Sequence, residues 1–179
     1  MGEVELSRVQ IDSPVGELTL IASHEHLFGV SFGEAGSRPT KVADLIAQAT
    51  VCEPSQHRLL AESVSQLEEY FRGARREFDL PLWPLGTEFQ KAAWQVLREI
   101  PYGETLNYAR QAERAGSPKG SRAVGSANGR NPIAIIIPCH RVIGADGSLT
   151  GFGGGMDAKR WLLDHEQRVL GPSGQQRLI

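Results

Sequence analysis

Asn131-Pro132-Ile133-Ala134-Ile135-Ile136-Ile137-Pro138-Cys139-His140-Arg141-Val142-Ile143-Gly144 is the stretch on which the reading of this chain turns. An apolar run rich in β-branched residues, bounded by two prolines, predicts a short buried strand. Pro138 ends it, because proline donates no ladder hydrogen bond and holds Ile137 extended. A cysteine, a histidine and an arginine follow where the chain leaves the core, so the strand would deliver the Cys139 thiol to the edge of a pocket. Taken alone, a lone cysteine in such a place is more often an inert core residue.

The elements just upstream are helical. Thr87-Glu88-Phe89-Gln90 fits a capping box, and Phe89, Ala93, Val96, Leu97 and Ile100 form the buried stripe of the helix that follows, stopped by Pro101. A second helix is predicted from Asn107, a fair N-cap, to Ala115, with Gly116 as its stop. Ser117-Pro118 predicts the start of a third, running to about Asn128. Two short helices joined by a tight, glycine-containing turn describe a helix-turn-helix. The small residues of the second (Ser121, Ala123, Gly125, Ser126, Ala127) would allow close approach to a groove, although many helical hairpins share this pattern. Downstream, Gly151-Phe152-Gly153-Gly154-Gly155 is a glycine-rich loop without the spacing or lysine of a phosphate-binding loop. The last helix is predicted over residues 157–168, with Trp161, Leu162 and Leu163 facing the core and Lys159 and Arg160 solvated.

The first half reads differently. Val4-Glu5-Leu6 with Val9-Gln10-Ile11, then Glu17-Leu18-Thr19-Leu20-Ile21 and Leu27-Phe28-Gly29-Val30-Ser31-Phe32, predict an antiparallel meander. A short helix is expected over residues 41–49. A longer one opens at Pro54-Ser55 and runs to Phe71, its apolar face Leu59, Leu60, Val64, Leu67, Tyr70 and Phe71, with Gly73 as its stop. Glu77-Phe78-Asp79-Leu80 suggests one more strand. Pro81, Pro84 and Gly86 punctuate a linker, dividing the chain into an α/β domain at 1–84, a mainly α domain at 85–170 and a polar tail at 171–179.

Whole-chain properties bound the function. The 179 residues, 40% hydrophobic and 22% charged, are those of a globular protein with a real core. No apolar segment approaches the roughly 20 residues that span a bilayer. The start lacks the pattern of a secretory signal, and Met1-Gly2 is only a weak myristoylation match, so a cytoplasmic protein is expected. Only Cys52 and Cys139 could form a disulfide, and reduced thiols are favoured. No closed zinc pattern is present, and no metal or cofactor is expected. The net charge of −2 is uneven: between Glu104 and Ala145, Arg110, Arg114, Lys119, Arg122, Arg130 and Arg141 stand against Glu104 and Glu113. Such a face is compatible with a phosphate backbone, and equally with an ordinary solvated surface.

Taken in order, Ile100-Pro101-Tyr102-Gly103-Glu104-Thr105, Tyr108, Ser121-Arg122-Ala123-Val124-Gly125, Asn131-Pro132, Ile137-Pro138-Cys139-His140-Arg141-Val142 and His165-Glu166 closely resemble the O6-alkylguanine-DNA alkyltransferases. The match covers essentially Gly86 to Glu166, and its cysteine motif is specific. The resemblance implies a ribonuclease-H-like α/β N-terminal domain and a C-terminal domain with a winged-helix-like helix-turn-helix. It implies direct-reversal repair: O6-alkylguanine is flipped out of double-stranded DNA and its alkyl group moves irreversibly to Cys139, with O4-alkylthymine left open as a second substrate.

Residue roles follow from the same resemblance. Cys139 would be the acceptor, His140 its base through a water, and Glu166 the residue that orients the histidine. Asn131 would hold the turn joining the recognition helix to the active-site strand. Arg122 would enter the duplex as a finger, and Tyr108 would crowd the 3′ phosphate and donate to guanine N3. Ser121, Ala123, Gly125, Ala127 and Asn128 would lie along the DNA. The Val142 carbonyl would accept from the guanine amine, with Ala134, Phe152 and Gly153 shaping the pocket. A monomer is implied, with cooperative assembly on DNA left open, as is a nuclear location should the source be eukaryotic.

The chemistry of these residue types agrees. A thiolate is the nucleophile, so a cysteine with a pKa of about 8.5 needs a base or a positive environment. A base stacked in a duplex hides its O6 atom and must be extruded, at a cost of a few kcal/mol. The chain departs from the family at several places. Asn107 stands where many relatives have serine, Phe152 replaces a common tyrosine, Gly153 offers only backbone, and Ala134 leaves more room than proline would. Three rivals remain: a lesion-binding module without repair activity, against which Cys139 itself speaks; a regulator with a sensing cysteine; and a cysteine hydrolase using Cys139, His140 and Glu166.

Overall fold

The computed structural model describes residues 5–33 and 41–172. β1 (Ser7–Ile11), β2 (Leu18–Ala22) and β3 (Leu27–Phe32) form the expected antiparallel meander. Val4 lies outside the described residues, and Glu5 and Leu6 precede the strand. A short β4 (Thr50–Val51) adds in parallel to β1, making a mixed sheet of order β3-β2-β1-β4.

β2 is buried on both faces, and its period-2 alternation says why. Leu18, Leu20 and Ala22 join the large core with Leu60, Val64 and Leu67 of α2 (Arg58–Phe71). Ile21 instead packs with Val42 and Ile46 of α1 (Lys41–Gln48). Gly29 of β3 makes that second contact possible. A Cβ there would stand 2.6 Å from Val42 Cγ1 and 2.8 Å from Ile21 Cγ2, so only glycine lets α1 seat against the strand.

Helix α2 begins four residues later than the proline signal suggested. Pro54–Gln56 is a single 3₁₀ turn, and extended His57 (φ −138°) separates it from α2. The His57 imidazole then caps the helix, Nδ1 accepting from Leu60 N–H at 3.3 Å. The helix ends where Gly73 N–H donates to Tyr70 O. Glu77–Leu80 is not a strand. Its backbone is held by a side chain, with Gln66 donating to Asp79 O at 3.0 Å and accepting from Asp79 N–H at 2.9 Å. The proline-rich linker is pinned to the sheet edge: Leu27 N–H donates to Pro81 O, and Trp83 N–H to Leu27 O.

In the second half, α3 (Glu88–Arg98) opens with the full reciprocal Thr87–Gln90 capping box. α4 (Tyr108–Arg114) is capped by Asn107, whose carboxamide oxygen accepts from Arg110 N–H at 2.9 Å. α5 (Ser121–Asn128) starts later than the Ser-Pro signal predicted. Residues 117–120 instead make a turn closed by Gly120 N–H to Ser117 O, and Gly120 is the N-cap. Ala93, Ala112, Val124 and Ala127 pack α3, α4 and α5 together. β5 (Leu106–Asn107) pairs in parallel with β6 (Val142–Ile143), and α6 (Met156–Leu170) closes the chain. The tail beyond residue 172 lies outside the described residues.

The two halves share one core. Val9, Leu20 and Tyr70 belong to the same buried cluster as Trp94, Leu97, Ile133, Cys139 and Leu162.

Candidate active site

The segment before Cys139 is buried but is not a strand. Pro132 O accepts from Val30 N–H and Ala134 N–H donates to Val30 O, so Ile133 makes one parallel bridge to β3. The chain then reverses: Ile136 N–H reaches back to Ala134 O at 2.9 Å, with Ile135 at φ +72° between them. This is a γ-turn of the rare, strained kind, and a β-branched residue in the left-handed region costs about 1–3 kcal/mol. Apolar burial on every side holds it there; Ile133, Ile135 and Ile137 are at most 1% exposed. β-branched composition predicted a strand, but the pairing with β3 is a single bridge before the chain reverses at Ile135.

Asn131 anchors the turn. Its Oδ1 accepts from Ile133 N–H at 3.0 Å, while Nδ2 donates to Ile137 O at 2.7 Å and to Cys139 Sγ at 3.2 Å. Cys139–Arg141 is one 3₁₀ turn, and all three side chains are buried. Burial pushes the Cys139 thiol up; the Asn131 hydrogen bond and the charge of Lys159 act against that. Cys139 therefore rests as a thiol at neutral pH.

His140 points away from water, with its Nε2 2.8 Å from Glu166 Oε1 and both side chains fully buried. Burial lowers the histidine, and the pull of Glu166 restores it only in part, so the ring is neutral. With Glu166 ionised, Nε2 carries the hydrogen. Nδ1 keeps its lone pair and is buried with no protein partner among the described residues.

Glu166 is the hub. Besides His140 it accepts from Arg141 Nη2 at 3.0 Å, Arg141 Nε at 3.0 Å, Tyr70 OH at 2.8 Å and Gly103 N–H at 2.8 Å. Burial opposes its charge, but His140 and Arg141 outweigh it and hold the carboxyl well below the carboxylate range. Tyr70 is pushed up by burial and by Glu166, so it stays a donor. Gly103, at φ +78°, turns its amide inward where a side chain would overlap Leu170.

Two members of this network, Arg141 and Tyr70, and a buried lysine beside the site escaped the sequence reading. Arg141 was counted with the basic face, yet it is 6% exposed and paired, which leaves Arg110, Arg114, Lys119, Arg122 and Arg130 exposed. Tyr70 was read only as part of an apolar stripe. Lys159, expected in solvent, is fully buried: its Nζ donates to Val142 O at 2.6 Å and Thr150 O at 2.8 Å. Burial brings it down to about 8. A signal was present, since Lys159, Leu162, Leu163 and Glu166 recur at the three- and four-residue spacing of one helix face.

The remaining expected residues fall into two groups. Tyr108 begins α4 and donates to Thr150 O at 3.1 Å; burial raises its hydroxyl. Phe152 stands edge-on to Phe32 at 5.4 Å and to His140 at 6.4 Å. Ala134 is buried and Gly153 exposed on the rim of the same cleft as Cys139. On α5, Arg122 and Ala123 are exposed, and Ser121 and Gly125 half-buried. Ala127 and Asn128, expected on the DNA face, point inward. Ala127 is 2% exposed and its carbonyl accepts from Trp94 Nε1; Asn128 exchanges paired amide hydrogen bonds with Gln111, both at 2.8 Å. Three and four residues beyond buried Val124, they fall on the face that packs α3 and α4. Both cysteines are free thiols.

Comparison with known proteins agrees across both halves. Residues 9–84 match the family description "6-O-methylguanine DNA methyltransferase, ribonuclease-like domain", and residues 88–168 match its "DNA binding domain". A methylated-DNA–protein-cysteine methyltransferase of Methanosarcina acetivorans is 48% identical over 155 residues, covering 87% of this chain and 94% of that one. The protein of that name from Mycobacterium leprae is 46% identical over 160 residues, covering 89% and 92%. The crystal structure of Mycobacterium tuberculosis O6-methylguanine methyltransferase superposes with a TM-score of 0.80 at 42% identity, covering 91% of this chain and 93% of that one. A structure of the M. tuberculosis protein in complex with DNA gives 0.81 at 44%, covering 91% and 94%. With a thiol, a buried histidine–glutamate pair and two matched halves in one order, this chain belongs to the 6-O-methylguanine DNA methyltransferase family.

Proposed function

We propose that the protein repairs O6-alkylguanine in double-stranded DNA by moving the alkyl group to Cys139. The observation that carries this is the pairing of a hydrogen-bonded buried thiol with a neutral histidine clamped by an ionised glutamate on the next residue. The Cys139 proton passes through a water to His140 Nδ1. The thiolate attacks the carbon on O6, an S–C bond forms as the C–O bond breaks, and the proton returns to the departing guanine. Lys159 and Asn131 favour the thiolate as it forms. A thioether has no easily expelled group, so each molecule acts once.

The finer roles belong to the same reading. Exposed Arg122 on α5 fills the space of the extruded base, with Ser121, Ala123 and Gly125 along the backbone and Tyr108 beneath the helix. The Val142 carbonyl, already bonded to Lys159, has a second lone pair for the guanine amine. The ribonuclease-H-like and winged-helix-like descriptions, the division at residues 84 and 85, a monomer on DNA and a cytoplasmic site of action are retained on the same basis. No helix among the described residues is long and apolar enough to cross a membrane.

The test is direct. The protein is incubated with duplex DNA carrying O6-methylguanine, digested, and its peptides weighed. A gain of one methylene on the Cys139 peptide, absent in Cys139→Ser, is expected. Many turnovers per molecule would refute the acceptor role. Tight lesion binding without a mass gain would favour a module that only recognises damage.

A further inference from the structure

We propose that Tyr70, carried by the N-terminal half, is a positioning residue for alkyl transfer: through Glu166 it sets how strongly His140 takes up the thiol proton. This rests on the alkyl-transfer reading above. Tyr70 and His140 share one atom. Glu166 Oε1 accepts from Tyr70 OH at 2.8 Å, from His140 Nε2 at 2.8 Å and from Arg141 Nη2 at 3.0 Å. An ionised carboxylate offers about two lone-pair sites per oxygen, so three donors on Oε1 compete. Charge drawn toward the tyrosine is charge that the His140 imidazolium cannot use when its Nδ1 gains the proton.

The tyrosine is held where it must compete. It is fully buried, and its ring meets Phe78 at 5.5 Å, Tyr102 at 5.9 Å and His165 at 5.4 Å, which blocks rotation away from Glu166. Its main chain is fixed to the same helix, with His165 Nε2 donating to Tyr70 O at 2.7 Å. α2 is thus tied to two consecutive residues of α6, one through a carbonyl and the other through the hydroxyl. The other titratable and charged groups around the pair come from several elements. Burial lowers His140; Glu166 acts to raise it, and Arg141 and Lys159 act to lower it. Cys139, just before it, is a neutral thiol raised by burial. Tyr102, on the turn after α3 and under the Arg76 guanidinium, is pushed up to about 12 by burial. Tyr70 is raised as well, so both tyrosines keep their protons wherever His140 titrates. The first half of the chain thereby adjusts a proton transfer that takes place in the second.

The experiment follows single-turnover reaction with free O6-benzylguanine, which needs no DNA, across about pH 4 to 8. In parallel, the His140 ring is titrated by NMR in ¹⁵N-histidine-labelled protein. The rate falls at low pH as the Nδ1 lone pair is taken by a proton. Tyr70→Phe keeps the ring and removes the donor, so both midpoints should rise by about half a pH unit or more. Incorporating 3-fluorotyrosine in place of Tyr70 gives a stronger donor in the same ring and should lower both. A tyrosine that only packs would not give shifts of opposite sign. Unchanged midpoints, or two shifts of one sign, would overturn the role. Should Tyr70→Phe fail to fold, the fluorotyrosine protein decides alone, an unlowered His140 midpoint refuting the coupling. A wild-type protein that takes up no alkyl group, while its His140 midpoint still responds to Tyr70, would overturn the parent reading and leave the coupling standing.

Discussion

Replacing Glu166 by glutamine tests whether the hub at the active site is also a structural keystone. The carboxylate is fully buried and accepts from Tyr70, His140, Arg141 and Gly103. A carboxamide keeps the shape but turns one oxygen into a donor. Placed at the Oε2 position, its NH₂ faces Gly103 N–H and Arg141 Nε–H; placed at Oε1, it faces Tyr70, His140 and Arg141 Nη2–H. Either way two or more buried donors lose their acceptor, and Arg141, 6% exposed, is left as an uncompensated charge. Breaking a buried pair from one side costs about 3–5 kcal/mol, and stranded donors are already part of that figure. With a urea slope of roughly 2 kcal/mol per molar, the denaturation midpoint should fall by about 2 M at unchanged slope. Glu166→Gln combined with Arg141→Met removes the stranded charge and should be more stable than Glu166→Gln alone. A midpoint shift below about 0.5 M, or a double variant as weak as the two single losses added, would refute the hub as an energetic unit. The sign with pH is fixed too. The folded carboxyl titrates below its ordinary 4.5, so its stabilisation is complete above that value and is lost as pH falls through the depressed folded one.

Lys159 titrates near 8 in the folded chain against an ordinary 10.5, so the folded state sheds its proton first. The stability of wild type relative to Lys159→Met should therefore rise between pH 8 and 10.5; a flat difference across urea titrations in that window would contradict the burial argument. Asn131→Ala removes the donor to Cys139 Sγ, and a hydrogen bond of about 1 kcal/mol predicts a several-fold slower reaction with iodoacetamide at pH 7 and a higher apparent thiol pKa. An unchanged pH profile would place thiolate stabilisation elsewhere. Arg122→Ala should slow repair in duplex DNA far more than reaction with free O6-benzylguanine, and equal losses would refute the finger role. Binding by the wild type should weaken steeply with salt, as phosphate contacts require.

What the sequence revealed follows where local chemistry decides structure. The Thr87–Gln90 box, the Asn107 cap, the meander and the helical face of α2 rest on neighbours in sequence, and each appears in the fold. The misses are places where tertiary packing overrules the local signal. Ile133 to Ile137 carry strand composition but make a single bridge to β3, at Ile133, before the chain reverses at Ile135. Glu77–Leu80 alternates like a strand yet is held by Gln66 instead of by a neighbouring strand. Ser117-Pro118 is a sound helix start that yields to a turn closed at Gly120. At the site, Cys139, His140 and Glu166, which the fold buries together, were legible through the family motif. Lys159 and Arg141 were not, because a charge read singly is assigned to solvent, and only partners distant in sequence make its burial affordable.

The hub at Glu166 also has a consequence in time. Its partners lie 26, 63 and 96 residues away along the chain, at His140, Gly103 and Tyr70. Contacts of such separation form late, once most of the chain has already condensed. On a growing chain Cys139 and His140 are made before Glu166, so the buried pairing of His140 with Glu166 waits on the last helix. Truncation before α6 should therefore leave Cys139 without that pairing.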